Sequence, residues 1–380
     1  MNSSKPSNYA DPLPRFSAVA AGHACLDILP DLETTGPEDF KQNFRPGHTI
    51  QAGKMVMHTG GSVSNTGLAL LKLGVDVNLI CKIGNDQLGT MLCSIYKDAG
   101  VKNMAGIVID PNFDTSYTVI INPRDVDRIF LHYPGANQSF AADDVHDDVL
   151  KKAGLFHFGY PPLMKTIYQN SGKELTKMYQ HVKGMGLTTS LDLCVPDLSN
   201  ESGKLDWHQI LSNVLPYVDL FLPSLEEVLF MLDKNLYIKM MEKGDILAQT
   251  DDELIDRLTK EIIDMGSAVA MIKVGSKGIY LRTAGLERIR ACGIAAPDQS
   301  SEWADQKCSH GIFPVKVAGT TGAGDCAIAG FLSAWLRGLS PADSITMACA
   351  AGACNCEQLD ATSGLIPWEE MRSRINSGWK

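Results

Sequence analysis

Short apolar runs alternate along the chain with longer stretches in which apolar residues recur every three or four positions. The short runs predict β-strands buried on both faces, and the periodic stretches predict amphipathic helices. Their alternation predicts an α/β fold, with a doubly wound, mainly parallel sheet and helices on both faces. The predicted strands are residues 16–21, 77–82, 155–158, 188–193, 219–222 and 269–274, and helices are predicted at 63–73 and 88–99.

Two segments depart from this alternation. Residues 31–58 are polar, rich in Pro and Gly, and contain no good helical pattern. Residues 106–132 hold three strand-like runs separated by turn-rich sequences, which is typical of hairpins. We expect the two segments to form a small antiparallel sheet that acts as a mobile lid over a site at the strand ends. Residues 291–311 are polar and irregular, which favours an exposed insertion.

Composition is that of an ordinary globular protein. The 380 residues are 44% hydrophobic and 21% charged, and 34 basic against 44 acidic residues give a net charge of −10. This balance argues against a nucleic-acid surface. We expect no signal peptide, because the first residues are polar, and no apolar run reaches membrane-spanning length. The ten dispersed cysteines favour reduced thiols. We therefore expect a cytoplasmic protein without membrane partners, with a flexible tail at 1–15 and one domain at 16–380.

The most informative segment is a glycine-rich turn, residues 319–324, that leads into an apolar helical pattern. Glycines allow a tight turn with outward N–H groups, and a helix N-terminus favours anions. Asp325 follows at once and is placed to take a proton from a hydroxyl that attacks phosphorus. A simple helix cap is the alternative. A dinucleotide fingerprint fits the spacing Gly322-x-Gly324-x-x-Ala327 but not its position near the C-terminus.

Other polar groups follow predicted strands or precede predicted helices. Asp27 comes after the first strand, where a carboxylate is able to hold two sugar hydroxyls, although a plain loop acid is the alternative. The segment 60–67 precedes a predicted helix and contains Asn65, whose amide offers both a donor and an acceptor to a polyol. The alternative is that this segment only caps the helix, with Ser62 at the N-cap. The segments 273–278 and 223–228 suggest a phosphate turn and a magnesium-associated acid, with a β-turn and an acidic first helical turn as their alternatives.

In this order the motifs resemble those of the ribokinase-like carbohydrate kinases, also called the PfkB family. The resemblance rests on residues 60–67, 84–89 and 319–325, supported by 134–137 and 273–278, and covers about residues 16–372. It implies ATP-dependent phosphorylation of a small-sugar hydroxyl, with Mg²⁺ and, through a loop at 361–364, a monovalent cation such as K⁺. Apolar alternation in the lid, such as Ile129 and Leu131, separately predicts a homodimer formed through its outer face, because a free small sheet is marginally stable. A nucleoside kinase of the same fold and a non-catalytic sugar-binding regulator are the alternatives.

The same resemblance assigns a role to individual residues. Asp325 is the implied general base, and Gly322, Ala323 and Gly324 form the anion hole. Glu227 is the implied magnesium-associated acid. Ser224 replaces the family's usual Asn, and the segment 157–160 lacks the Glu that ribokinase carries in this region. The implied substrate residues are Asp27, Gly60, Gly61, Asn65 and Asn137, and the implied nucleotide residues are Ser224, Lys273, Gly275, Ser276, Gly278, Thr320 and Asn355.

Overall fold

The computed structural model describes residues 11–32, 35–126 and 129–379. Within these ranges the chain alternates strands and helices, as the hydrophobic pattern predicts. The strands are β1 (Ala18–Gly22), β2 (Cys25–Pro30), β3 (Met55–Gly60), β4 (Val77–Gly84), β5 (Ile107–Asp110), β6 (Tyr117–Ile121), β7 (Ile129–Tyr133), β8 (Leu155–Gly159), β9 (Thr188–Leu191), β10 (Leu220–Phe221), β11 (Val269–Lys273), β12 (Ile279–Thr283) and β13 (Lys307–His310).

The helices fill the intervals between the strands. One of them, α5, is interrupted at residues 169–172, where the backbone leaves helical geometry. The helices are α1 (Pro37–Asn43), α2 (Ser62–Lys72), α3 (Gln87–Asp98), α4 (Asp147–Leu150), α5 (Lys165–Gly184), α6 (Trp207–Val214), α7 (Leu225–Leu232), α8 (Lys234–Glu242), α9 (Asp252–Asp264), α10 (Leu286–Arg290), α11 (Ser300–Trp303), α12 (Ala323–Leu336), α13 (Pro341–Cys356) and α14 (Trp368–Asn376).

The main sheet has nine strands in the described residues, in the order β13-β12-β11-β10-β9-β8-β1-β4-β5. The strands from β5 to β11 pair in parallel, and β12 and β13 close one edge antiparallel. The strands that follow β1 in the chain are added on both of its sides: β4 and β5 lie on one side, and β8 and β9 lie on the other. Such a reversal of strand order opens a crevice at the carboxyl ends of the strands, where α/β proteins bind ligands.

Both faces of the sheet are covered by helices, which confirms the predicted fold class. Alternate side chains of one strand enter different cores: Leu79 of β4 lies in one and Ile80 in the other. The first core includes residues from α2, α12 and α13, and the second includes residues from α5, α6 and α9. Burial on both faces explains why the parallel strands read as continuous apolar runs.

A second sheet of four strands, in the order β3-β2-β6-β7, projects from the main one. Its outer pairs are antiparallel, and its central pair, β2 with β6, is parallel. The boundaries predicted for the lid differ from this sheet in three respects. β2 precedes residue 31, residues 37–43 form α1, and β5 pairs with β4 in the main sheet instead of joining the lid. Arg128, in one predicted lid strand, lies outside the described residues.

Two further segments differ from what their sequences indicate. Residues 291–311 are not an exposed insertion, because they contain the buried Trp303 and the edge strand β13. Of the predicted flexible tail, residues 11–15 are held against the domain. Asp11 accepts hydrogen bonds from Trp368 Nε1 at 3.0 Å and Arg372 Nη2 at 2.7 Å, and Arg15 N–H donates to the Leu336 carbonyl at 2.9 Å. Residues 1–10 lie outside the described part of the chain.

A buried ion network ties the main sheet to its flanking helices. Asp219, fully buried just before β10, accepts from Lys183 Nζ at 2.6 Å and Arg288 Nη1 at 2.7 Å. The Thr189 amide of β9 donates to the other carboxylate oxygen at 2.9 Å. Removal of one member of a buried pair is strongly destabilising, because its partners are left without compensation.

Asp219→Ala should therefore lower the free energy of unfolding by about 3 kcal/mol. Urea unfolding followed by circular dichroism measures this change. Asp143→Ala is the matched control, because Asp143 also pairs with a lysine, Lys177 at 2.8 Å, but on the surface. The control should leave the unfolding midpoint nearly unchanged. Equal midpoints for both variants would contradict a structural role for the network.

Candidate active site

Polar side chains gather where the parallel strands end. Tyr160 follows β8, Asp192 follows β9, Ser224 lies shortly after β10, and Lys273 is the last residue of β11. These strands are neighbours in the sheet, so their carboxyl ends bring the four side chains to one crevice. The opening helix of the C-terminal region, α12, begins at the same place.

The turn before α12 takes the form that its glycines predict. Gly322 caps the helix with φ of 72°, in the left-handed region that favours glycine. A Cβ at this position would lie 2.2 Å from the Ala361 carbonyl oxygen, so a larger residue does not fit. Ala323 and Gly324 are the first two helical residues, and Asp325 is the third. The positive end of the helix therefore faces the crevice, with one carboxylate just behind it.

The Asp325 carboxylate is buried and accepts hydrogen bonds from three side chains. Tyr160 Oη lies 3.0 Å from Oδ1 and 2.9 Å from Oδ2. Asn65 Nδ2 donates to Oδ2 at 3.1 Å, and Thr66 Oγ1 donates to Oδ1 at 3.3 Å. The sequence predicts Asn65 as a substrate contact, whereas here its amide nitrogen orients Asp325. The amide oxygen of Asn65 is buried without a partner.

The surroundings of Asp325 change its proton affinity. Burial, with a smaller contribution from the Asp192 carboxylate, raises the pKa of Asp325 to about 6, although Lys273 and the hydrogen-bond donors oppose this rise. A group with this pKa is mostly ionised at neutral pH and still accepts a proton readily. This combination suits a general base that works near neutrality.

Lys273 supplies the positive charge of the crevice. Its Nζ donates to Asp192 Oδ1 at 2.8 Å, and both side chains are nearly buried. A Cβ built on Gly324 would lie 3.8 Å from the same Nζ, so the ammonium group sits beside the start of α12. Burial alone would lower the pKa of Lys273, but the Asp192 and Glu227 carboxylates outweigh it and raise that pKa. The lysine is therefore a permanent cation next to the anion-binding turn.

Glu227 and Ser224 form a capping box at the start of α7. The Ser224 amide donates to Glu227 Oε2 at 2.6 Å, and the Glu227 amide donates to Ser224 Oγ at 3.5 Å. Burial raises the pKa of Glu227, while Lys273 opposes the rise. The serine that replaces the usual Asn thus keeps a defined position for this acid. Glu227 retains a second carboxylate oxygen for other partners.

A cleft of about 420 Å³ opens beside Ser224, Lys273 and the start of α12. Ala323 and Gly324 contribute to its wall. The apolar side chains of Ile312, Phe313 and Val317 also line it, and the sequence did not predict these three as site residues. The wall is mostly apolar, as expected for a site that receives a flat ring system with a polar end at the helix start. The predicted nucleotide residues that line it are Ser224, Lys273, Gly275, Ser276, Gly278 and Thr320.

Asn355 was predicted beside the nucleotide base, but it does not line this cleft. Its side chain is fully buried, and Nδ2 donates to the Thr321 carbonyl at 2.8 Å and to the Asp360 carbonyl at 3.4 Å. Asn355 therefore joins the turn before α12 to the loop that follows α13. Its role beside the nucleotide base stays a prediction.

The predicted substrate residues lie on the other side of Asp325, where the four-stranded sheet β3-β2-β6-β7 begins. We call this second sheet the lid sheet, after its predicted role. The half-buried Asp27 stands in β2, and a Cβ on Gly60 would lie 2.3 Å from its Oδ2. Gly61 has φ of 83° and lies against His23. The segment from Gly60 to Asn65 therefore runs from one carboxylate, Asp27, to the other, Asp325. Burial raises the pKa of Asp27, although hydrogen bonds from neighbouring side chains oppose the rise.

Asn137, also predicted to contact substrate, serves the backbone instead. Its Oδ1 accepts from the Ala24 amide at 3.2 Å, and its Nδ2 donates to the Ala24 carbonyl at 2.9 Å. These bonds fix the link between β1 and β2. The neighbouring His23 is buried, its ring nitrogens lack a hydrogen-bond partner, and burial lowers its pKa to about 3. Its ring lies 5.3 Å from that of His132 and 6.3 Å from that of Tyr160.

Sequence reasoning missed Tyr160, Asp192, Thr66 and His23. Asp192 carried a usable signal, because it lies near the end of the predicted strand 188–193, as Lys273 does in the predicted strand 269–274. Tyr160 was noted only as part of a segment without the expected Glu. Its contact with Asp325 depends on a left-handed backbone, with φ of 63° and ψ of 43°, that the sequence does not predict.

Two negative observations apply to residues 11–379 with the gaps noted above. His, Cys, Asp and Glu side chains form no group of three able to hold a metal ion by themselves. No helix there combines the length and the apolar character that crossing a bilayer requires. The ten cysteines are all free thiols, six of them buried.

Comparison with known proteins gives a consistent result. The family model described as "pfkB family carbohydrate kinase" matches residues 33–369. The chain is 26% identical over 284 residues to a probable chloroplastic fructokinase-6 of Arabidopsis thaliana. That alignment covers 74% of this chain and 63% of the relative, so the chain spans less than two thirds of the relative's length.

Solved structures share the fold at low sequence identity. The ribokinase of Arabidopsis thaliana complexed with ribose and ATP superposes with a TM-score of 0.69 at 19% identity, covering 96% of this chain and 98% of that one. A fructokinase with bound ATP from Xylella fastidiosa gives a TM-score of 0.70 at 16% identity, covering 96% and 99%. Likeness at this identity establishes the fold alone.

Proposed function

Because the chain belongs to the pfkB family of carbohydrate kinases, we propose that it transfers the terminal phosphoryl group of ATP to a hydroxyl of a small sugar. One observation carries this proposal. The buried carboxylate of Asp325 lies directly behind the first residues of α12, and these residues also line the cleft beside Lys273. A proton acceptor and an anion site thus share one helix turn, as phosphoryl transfer to a hydroxyl requires.

The site divides between two ligands on either side of Asp325. The apolar cleft lined by Phe313 and Val317 takes the nucleotide, with its phosphates toward Gly324. The lid side, with Asp27 and Gly60, takes the sugar. Asp325 removes the proton of the attacking hydroxyl as the new oxygen–phosphorus bond forms and the bond to the departing ADP breaks.

Positive charge near the transferring group comes from the chain in two forms. The α12 N-terminus directs its amides at the phosphates, and Lys273 adds an ammonium group beside Gly324. Asp192 holds that ammonium through its 2.8 Å hydrogen bond. Charge that develops on the phosphoryl oxygens is therefore met by groups already in place, which is the most effective form of electrostatic stabilisation.

The acidic groups of the crevice fit a magnesium ion carried by the nucleotide. Mg²⁺ keeps most of its water and binds proteins through one or two carboxylates plus substrate phosphates. In the part of the chain that the structure describes, Asp192, Glu227 and Asp325 outnumber the lysine that faces them, Lys273, and Glu227 has a carboxylate oxygen beyond its bond to Ser224. We propose that Glu227 holds the ion through water. The ion would supply charge neutralisation between the phosphates.

A monovalent cation remains a proposal for the loop at 361–364. The carbonyls of Thr362 and Ser363 turn outward and accept from the exposed Lys72 Nζ at 3.5 and 3.1 Å. A second anchor of the loop is Asp360, whose Oδ1 accepts from the Thr362 and Ser363 amides at 2.9 and 2.7 Å. The loop packs against Gly322, so a cation there would act by holding the anion-binding turn.

The experiment that tests the function is a substrate panel read by ADP formation. Fructose and ribose come first, since the aligned relative is a probable fructokinase and the superposed ribokinase holds ribose. Asp325→Asn should reduce turnover on the preferred substrate by roughly 10²–10⁴-fold, because a positioned general base is lost. Nucleotide affinity should change little, since the cleft wall is intact.

Asp143→Ala is the control for the effects of purification and folding on turnover, because Asp143 is an exposed acid on the surface. Near-normal turnover of Asp325→Asn would remove Asp325 from the mechanism. A wild-type protein that forms ADP with nucleosides alone would identify a nucleoside kinase. A protein that binds sugar without forming ADP would identify a non-catalytic regulator.

Asp27→Ala should raise the sugar KM by roughly 10²-fold, because hydrogen bonds from two sugar hydroxyls to a charged group are lost. The ATP KM should stay within about twofold, since the nucleotide cleft lies on the other side of Asp325. Saturation curves with sugar varied at fixed ATP, and ATP varied at fixed sugar, measure both constants. An increase in the ATP KM with an unchanged sugar KM would reverse the proposed division of the site.

The lid sheet is the proposed dimer surface. Its edge strand β7 exposes Phe130 and Leu131, and Val56 of the opposite edge strand is also exposed. An open edge with apolar side chains favours pairing with a second copy of the chain. We expect a homodimer by light scattering and a monomer for Phe130→Lys. Leu198→Lys, at an exposed apolar residue outside the lid sheet, should stay dimeric. A monomeric wild type would exclude the dimer.

A further inference from the structure

We propose that Tyr160 is a positioning residue that occupies the Asp325 carboxylate until a sugar hydroxyl displaces it, so that water is a poor acceptor of the phosphoryl group. This inference rests on the proposed kinase function. It starts from the hydrogen bonds of Tyr160 Oη to both carboxylate oxygens, at 3.0 and 2.9 Å. In this arrangement neither carboxylate oxygen is free to accept a hydrogen bond from a water molecule.

Tyr160 is the donor that a ligand is able to displace. Asn65 and Thr66, which also bond Asp325, lie in the buried first turn of α2. Among these three donors in the described chain, Tyr160 is the partly exposed one. A sugar hydroxyl that approaches from the lid side therefore meets the tyrosine first, and Asp325 keeps its bonds to α2 throughout.

The backbone holds Tyr160 in this position at a cost. Its φ of 63° and ψ of 43° are unfavourable for a residue with a side chain. The neighbours on both sides are rigid: Gly159 packs so closely that a Cβ would lie 2.4 Å from Ser62 Cβ, and Pro161 and Pro162 follow. A strained conformation that is fixed from both sides and delivers a hydroxyl to the base indicates a functional constraint.

The tyrosine stays a donor at every working pH. Burial and the Asp325 carboxylate raise the pKa of Tyr160 well above its ordinary value. When the sugar hydroxyl takes one Asp325 oxygen, Tyr160 keeps the other and holds the carboxylate plane. The hydroxyl proton then passes to the freed oxygen as the sugar–phosphate bond forms and ADP leaves with the electron pair of the broken bond. With water in place of the sugar, the products would be ADP and phosphate.

Tyr160→Phe removes the hydroxyl and keeps the ring. Sugar phosphorylation should fall about tenfold, because one hydrogen bond to a charged group is lost. ADP formation without sugar should not fall, so the ratio of hydrolysis to sugar phosphorylation should rise about tenfold. The acid limb of kcat/KM should move to higher pH by roughly 0.5–1 unit, because loss of a donor to the carboxylate raises the pKa of Asp325.

The other groups that set the pH profile remain unchanged in this variant. They are the donors Asn65 and Thr66, the charges of Lys273 and Asp192, and the nearby thiols of Cys194 and Cys326. Tyr179→Phe is the matched control: Tyr179 is a buried tyrosine whose Oη donates to the Ser190 carbonyl at 2.7 Å, away from Asp325. It should keep the wild-type hydrolysis ratio and pH profile.

A readout without turnover separates this inference from the kinase proposal. Carbon-13 NMR of labelled aspartate, with the Asp325 signal assigned by its loss in Asp325→Asn, gives the carboxyl pKa in the wild type and in Tyr160→Phe. A higher pKa in the variant supports the contact even if no sugar is turned over. Equal pKa values, or a variant with the wild-type hydrolysis ratio and pH profile, would overturn the inference. An inactive wild type would overturn the kinase function instead.

Discussion

The site depends on one buried contact between distant parts of the chain, the hydrogen bonds from Asn65 and Thr66 of α2 to Asp325 of α12. A carboxylate taken out of water loses several kcal/mol of solvation, so it is tolerated only with good partners. Here the partners are the start of a helix, the Lys273 ammonium group and hydrogen bonds from three side chains. They suffice to keep the carboxyl ionisable and leave its pKa near 6, which is where a proton acceptor is useful.

These partners come from separate segments that meet only in the folded sheet. Tyr160 follows β8, Asp192 follows β9 and Lys273 ends β11, so each is delivered by the carboxyl end of a different strand. Parallel order is what places these ends at one edge, and the reversal at β1 opens the crevice between them. The chemistry of the site is therefore a property of the sheet topology, and no single motif contains it.

Much of the fold was predictable because two-sided burial leaves a clear pattern. β11 is apolar up to its last residue, and β4 is buried along nearly its whole length. The errors fall at the edges of the sheets, where burial is incomplete. β13 reads Lys-Cys-Ser-His, with alternating exposure, and resembles a loop. β5 is the first strand-like run of the hairpin-like segment 106–132, and only its pairing with β4 places it in the main sheet.

For the site, the sequence predicted positions better than it predicted contacts. The turn at 319–324, Asp325 and Lys273 lie where the motifs indicate. The amides were harder, because a carboxamide bonds a ligand, a backbone or another side chain with the same two groups. Asn137 bonds Ala24, Asn355 bonds Thr321 and Asp360, and Asn65 bonds Asp325. Which use applies is decided by packing that no local pattern records.

The same bonds determine how the lid sheet is joined to the rest of the molecule. The chain passes from β1 into β2 through His23 and Ala24, and Asn137 holds both the amide and the carbonyl of Ala24. His23 is packed against Gly61, at the entrance to α2. The link is thus held by Asn137 on one side and by the start of α2 on the other. A movement of the proposed lid would then be taken up beyond Ala24, within β2 and its partners, and it would shift Asp27 relative to Asn65 and Asp325. A sugar held as we propose, between Asp27 and Asp325, would then join the proposed lid to the proposed site of phosphoryl transfer.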